Sequence, residues 1–308
     1  MIKPKPNIMI IGSLNMDLVV TTERMPKNGE TVQGRSIHYI SGGKGANQAV
    51  GCAKLGAHVT MVGAVGDDVF GQQIINQLDA YGVATEHIAR IKNKSTGTAT
   101  IIHTLEDNCI VVVSGANGEC NKEMVSAYEA YIQKADVLLL QLEIPLSAVH
   151  HALKIARSHG VRTVLNPAPA HVLSQDLLSL VDILTPNESE FESISGKTYS
   201  SEEELEEGMQ NWQNTYGCTL VITRGQKGCS YLDPLNGKLK TIPIIAVHVI
   251  DTTGAGDAFN AALCYRISLG WSLEHAIKFA VKAASLSVTK FGAQEGMPTL
   301  EEVATLDS

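Results

Sequence analysis

The stretch "ADVLLLQLEIPLSAVHHALKIARSHG", residues 135–160, decides the fold. Its run "VLLL" carries no polar alternation, which marks a strand buried on both faces. Beyond Pro145, the residues Leu146, Val149, Leu153 and Ala156 recur at helical spacing and define one apolar face. A doubly buried strand followed at once by a one-sided helix reads as half of a βαβ unit. The sheet is therefore expected to be mostly parallel, with helices on both faces.

The same rhythm recurs on either side. "NIMIIG" (7–12) reads as a buried strand near the start, and "HVTMVGAVG" (58–66) precedes the helix "DVFGQQIINQLDAYG", whose Gly82 suits a left-handed cap. "RTVLNPAP", "VDILTPNE" and "CTLVITRG" are further short apolar runs ending in turn residues. Ser201 and Glu204 predict a capping box for a helix reaching about Tyr216. Two more helices are expected at about Gly256–Leu269 and Ser272–Thr289. Residues 17–40 and 97–113 break the pattern, reading as strands without a crossover helix, the second a hairpin turning near Asp107–Asn108. The expected architecture is one three-layer α/β/α domain over residues 1–308. A small β-sheet lid is inserted at about 15–41 and 97–116. A hairpin at Asn236–Gly237 is expected as a peripheral decoration.

A net charge of −8 argues against a nucleic-acid surface, while permitting a small anionic ligand in a local cleft. The 44% apolar and 18% charged composition fits a soluble globular protein. The six cysteines are scattered without a CxxC pair, which points away from zinc or a disulfide framework and toward a reducing cytoplasm. The apolar run in "MIKPKPNIMIIGS" is too short for a signal or membrane segment, so the sequons at Asn93 and Asn187 read as chance matches.

In an open α/β sheet, ligands bind beyond the carboxyl ends of the strands, so the turn residues carry the function. "GGKGAN" (42–47) places Lys44 at a helix start, where the dipole disfavours a cation. Either Lys44 faces an anionic or polar ligand, or the loop is loose and the lysine solvated. In "GSLNMD" (12–17), Asn15 and Asp17 project from one side of an extended chain and suit sugar hydroxyls; an Asx turn is the competing reading. Glu143 is a helix N-terminal acid or a ligand contact. Asn187 and Glu190 either cap a helix or order a hydrated Mg²⁺. "TRGQKG" (223–228) suits a nucleotide loop, unless Arg224 and Lys227 are merely solvated. In "DTTGAGDAF" (251–259), Gly254, Ala255, Gly256 and Asp257 offer successive amides at a helix start. There the dipole favours the charged form of Asp257, and a structural first-turn aspartate would look the same.

Taken together, "GSLNMD", "GGKGANQA", "QLE", "LNPAPA", "TPNESE", "ITRGQKG", "DTTGAGDAF" and "VTKFGAQ" resemble, in order and spacing, the ribokinase/phosphofructokinase-B (PfkB) family of sugar kinases. The resemblance runs from about Asn7 to Pro298, and "NMD" with "GGKGAN" and "LNPAPA" is similar to its ribose-specific branch. It implies the ribokinase-like fold with a lid and transfer of the ATP γ-phosphate to O5 of D-ribose. Asp257 would be the catalytic base, with the amides of Gly254, Ala255 and Gly256 as anion hole. Asn15, Met16, Asp17, Gly43, Lys44, Gly45, Ala46, Asn47 and Glu143 would hold the sugar. Asn187 and the loop Thr223, Arg224, Gly225, Gln226, Lys227 and Gly228 would meet ATP, with Glu190 ordering Mg²⁺ through water. A K⁺ site would draw on Asp251, Thr253, Ser287, Lys290, Gly292 and Gly296. Two positions depart from the pattern: Gly296 replaces a serine of the cation loop, and Val281 replaces a polar adenine contact. A homodimer through the lid is also implied.

The alternatives are a kinase of the same family acting on 2-deoxyribose, fructose or a nucleoside, and an inactive sugar-binding protein. An NAD site is excluded, because the first strand ends in "GSLNMD" and not in a glycine-rich fingerprint.

Overall fold

The computed structural model describes residues 5–104 and 108–306. In chain order its strands are β1 (Asn7–Ile11), β2 (Asn15–Thr21), β3 (Ser36–Gly42), β4 (His58–Gly66), β5 (Ile88–Ile91), β6 (Gly97–His103), β7 (Asn108–Val113), β8 (Val137–Leu140), β9 (Arg162–Leu165), β10 (Ile183–Leu184), β11 (Thr219–Thr223), β12 (Cys229–Leu232) and β13 (Leu239–Ile242). Nine of them make one sheet in the order β13-β12-β11-β10-β9-β8-β1-β4-β5. From β11 to β5 every pairing is parallel, while β12 and β13 add an antiparallel edge.

The opening stretch folds as read. Val137 and Leu139 enter one core cluster and Leu138 and Leu140 the other, as do Ile8 and Ile10 against Met9 and Ile11. Successive side chains point to opposite faces, so an all-apolar strand anchors a helical layer on each side. Each fully buried aliphatic side chain contributes roughly 1.5–3 kcal/mol, enough to set the strand's place in the sheet. The Leu146–Ser158 helix buries Val149, Leu153 and Ala156, whereas Leu146, its first residue, is largely outside the core. Ala148, Ala152 and Ile155 widen the buried stripe beyond the sequence expectation.

Gly82 does adopt a positive φ behind the Val69–Ala80 helix. Two details differ from expectation. Ser201 accepts from the Glu204 amide, but the Glu204 carboxylate reaches Ser200 N and not Ser201 N, so the reciprocal box is shifted by one residue. The hairpin at Gly237 joins β12 to β13 and so extends the central sheet instead of decorating it.

The early helix-free segments form a separate four-stranded sheet, β3-β2-β6-β7. Its central pair, β2 and β6, is parallel, flanked by antiparallel β3 and β7. The expected turn near Asp107 lies outside the described residues.

Candidate active site

The carboxyl ends of β9, β10 and β11 meet the starts of the Lys44–Lys54 and Ala255–Ser268 helices around a cleft of about 200 Å³. Asn166, Thr185, Asn187 and Thr223 enter it from strand ends, and Lys44 and Gly254–Asp257 from the two helix starts. Gly254 has φ 79°, and a β-carbon there would lie 2.7 Å from Ala293 Cβ, so only glycine fits this turn. Among the described residues, the amides of Gly256 and Asp257 have no acceptor, while Ala255 N turns to Thr252 O at 3.2 Å. The first helical turn thus presents unsatisfied donors to the cleft, an anion site in the making.

Asp257 is buried, and both its oxygens are held. Asn47 Nδ2 donates to Oδ2 at 3.0 Å, and Gln48 Nε2 to Oδ1 at 2.9 Å. Burial pushes its carboxyl above the usual range, offset in part by Lys44, Asn47 and Gln48. The helix dipole alone would lower it; desolvation wins. For a general base the raised value is the more useful one.

Lys44 lies among carboxylates. Burial lowers its pKa, but Asp257, Glu143, Glu190 and Asp17 outweigh that and leave it raised. This removes the loose-loop alternative for "GGKGAN". Glu143 accepts the Lys44 amide at 3.0 Å and also the Ser13 hydroxyl. Asp17 is pushed up to about 7 by burial and by the charges of Glu143 and Asp257. Asn15 accepts from Asn117 Nδ2 at 2.7 Å and begins strand β2, so this segment is extended and not an Asx turn. Asn15, Asp17, Lys44, Asn47, Glu143 and Asp257 therefore form one polar cluster abutting the cleft.

Other expected residues sit elsewhere. The Met16 and Ala46 side chains belong to the core, so any ligand contact from them is through backbone. Gly43 and Gly45 bring the helix start against the chain at residues 13–15. Asn187 and Glu190 form a capping box, Asn187 Oδ1 taking Glu190 N and Glu190 Oε2 taking Asn187 N, both at 2.8 Å. Glu190 still lines the cleft, and burial raises its carboxyl despite the Asn187 amide. Arg224 is neither solvated nor in the cleft: its guanidinium, 6% exposed, is gripped by Glu188 and Glu202 at 2.9 and 2.7 Å. Arg224 and Lys227 line a neighbouring hollow instead, while Gly225, Gln226 and Gly228 form a tight turn after β11.

Asp251 draws the 251–253 turn and the 292–296 segment together. Its carboxylate accepts from Thr253 N, Thr253 Oγ1 and Gly292 N at 2.9, 2.7 and 2.9 Å. Burial works against this charge, yet those three bonds leave its pKa lowered. A β-carbon at Gly296 would lie 2.5 Å from the Ser287 carbonyl oxygen, so the serine usual in the cation loop would collide here. Lys290 is drawn off to Glu302 at 2.7 Å. The Val281 side chain is buried in the core.

Sequence reasoning missed Gln48, Gln141, Asn166, Thr185 and Asn260, whose amides and hydroxyl knit the site together. The available signal was positional: Gln141, Asn166 and Thr185 each directly follow an apolar strand. A buried uncharged polar residue there calls for bonds; Gln141 makes one through Nε2 to Gln48, while its Oε1 has no partner among the described residues.

The pfkB family carbohydrate kinase profile matches residues 5–300. A ribokinase from Bacillus subtilis is 45% identical over 300 residues, covering 97% of this chain and 99% of that one. A deoxyribokinase from Salmonella typhi is 33% identical, covering 96% and 97%. A solved structure of Arabidopsis thaliana ribokinase complexed with ribose and ATP superposes with TM-score 0.92 at 33% identity, covering 98% and 99%. The family match spans residues 5–300 and the superposition 98% of the chain: it belongs to the pfkB family of carbohydrate kinases, phosphotransferases that act on sugars.

Proposed function

We propose that this kinase transfers the γ-phosphoryl group of ATP to O5 of D-ribose, giving D-ribose 5-phosphate and ADP. One observation carries the assignment: a buried carboxylate, Asp257, sits on the same helical turn as unsatisfied amides and beside Lys44. As the O5–phosphorus bond forms and the bond to the ADP oxygen breaks, the O5 proton passes to Asp257. The transition state is loose, so catalysis is largely placement and charge stabilisation. The amides of the Gly254–Asp257 turn and Lys44 would neutralise the phosphoryl oxygens. Asn15, Asp17, Asn47 and Glu143 would bind sugar hydroxyls, and Asn187 with the 223–228 turn would take the nucleotide.

Mg²⁺ would supply charge neutralisation on the phosphates, and Glu190 and Asn187 offer the hard oxygen donors it prefers, reached through water. A K⁺ ion would suit the Asp251 turn, to which Gly292 is bonded, with the Ser287 carbonyl close by Gly296 because that residue has no side chain. The small sheet would close as a lid, excluding water. It exposes four consecutive apolar residues, Ile110, Val111, Val112 and Val113, at 52%, 59%, 55% and 52%. Such a patch on an edge strand fits a homodimer packed through the lids. Free cysteines fit a cytoplasmic enzyme, and no helix among the described residues could cross a membrane.

Deoxyribose is the second reading, favoured by the deoxyribokinase relative. Asn15 and Asp17 favour ribose, whose 2-hydroxyl offers this polar pair a partner that 2-deoxyribose lacks. Steady-state kinetics with D-ribose, 2-deoxy-D-ribose, D-fructose and a nucleoside decide the matter. A higher kcat/KM for any sugar but ribose overturns the assignment.

A further inference from the structure

Gln48 lies one turn beyond Lys44 and is fully buried. A buried amide costs free energy unless its bonds are made, and an aliphatic side chain would pack here without that demand. Here every bond is made. Nε2 donates to Asp257 Oδ1 at 2.9 Å and to Asn166 Oδ1 at 3.2 Å, and Oε1 accepts from Gln141 Nε2. The orientation is forced, because the flipped amide would set oxygen against the carboxylate and nitrogen against nitrogen.

Past Asn166 the bonds continue. Asn166 Nδ2 donates to Thr185 O at 3.2 Å, Thr185 Oγ1 to Asn260 Oδ1 at 2.6 Å, and Asn260 Nδ2 to Gly256 O at 2.9 Å. The chain of bonds returns to the residue beside Asp257. One ring therefore spans the Lys44–Lys54 helix, the ends of β9 and β10, and the first turn of the Ala255–Ser268 helix.

We propose that Gln48 is a positioning residue for phosphoryl transfer. It holds the Asp257 carboxylate in its productive rotamer and, through Asn166, Thr185 and Asn260, in register with the amides of the Gly254–Asp257 turn. Asn47 grips the other oxygen, so the carboxylate plane is fixed only while both amides are present. This rests on Asp257 acting as the base.

The test compares wild type, Gln48→Met, Asp257→Asn and the double variant, each checked for cooperative thermal unfolding, with D-ribose and ATP as substrates. Gln48→Met is expected to lower kcat by about ten- to a hundredfold, the range a misplaced reacting group costs. KM for both substrates should stay within about twofold, since the interaction acts in the transition state. In the Asp257→Asn background the same change should cost nothing further. An unchanged kcat in Gln48→Met, or an equal loss in both backgrounds, overturns the positioning role. Wild-type turnover in Asp257→Asn instead overturns the assignment of the base, and the proposal with it. Should Gln48→Met fail to fold, Gln141→Met removes the anchor of Gln48 without touching Asp257. It should give a smaller kcat loss with the same non-additivity, and additive behaviour counts against the proposal.

Discussion

The backbone amide of Lys44 donates to Glu143 Oε2 at 3.0 Å, pinning at a helix start a carboxylate whose charge, with that of Asp257, acts on Asp17. Burial and the charges of Glu143 and Asp257 push Asp17 up to about 7, from an ordinary 3.8. The folded protein thus holds this proton more tightly than the unfolded chain. The stability so gained is complete below about pH 3.8 and is lost as pH rises through 7. Asp17→Asn, neutral throughout, should therefore be more stable than wild type by about 2 kcal/mol at pH 8, with the gap shrinking toward pH 5. Its KM for ribose should rise at the same time. Thermal melts at the two pH values check the first part, and a gap independent of pH would contradict it.

Within "TRGQKG" the Arg224 guanidinium ties the β11 turn to Glu188 and Glu202. Breaking a pair whose arginine is buried but whose acids are half exposed should cost about 2 kcal/mol. Arg224→Met should lower the denaturation midpoint and raise KM for ATP indirectly, by loosening the turn. A raised KM with unchanged stability would mean that Arg224 touches the nucleotide after all.

What the chain's letters reveal about itself follows from how local each signal is. The strand at 137–140 and the helix behind it were legible because apolar periodicity is a property of neighbours in sequence. Asp257 and the "TGAGD" turn were legible because a helix start has its own chemistry. Gln48, Asn166 and Asn260 were not, since their partners lie 118, 209 and 75 residues away in the bonds that define them. Met16 and Ala46 sat inside informative strings while their side chains pack in the core. Only the three-dimensional register separates backbone contacts from side-chain ones.

Asp251 ties Gly292 to the 251–253 turn, which runs directly into the Gly254–Asp257 helix start. Replacing K⁺ by a large organic cation should lower ribose-dependent kcat by at least about threefold, since a nearby monovalent charge stabilises the developing phosphoryl charge. Asp251→Ala should lose that dependence. Equal turnover of the wild type with and without K⁺ would remove the cation from the account.

The exposed apolar strand at 110–113 predicts self-association. Sedimentation should show a dimer for the wild type and a monomer for Val111→Lys/Val112→Lys, which places a charge on each face of β7. A monomeric wild type would leave that patch to another role.

The most direct measurement is ribose-dependent ADP release by Asp257→Asn, with the sugar product identified as the 5-phosphate in the wild type. Removal of the general base should lower kcat at least about a hundredfold, with ribose and ATP still bound. Turnover near that of the wild type would show that the proton goes elsewhere and would contradict the mechanism.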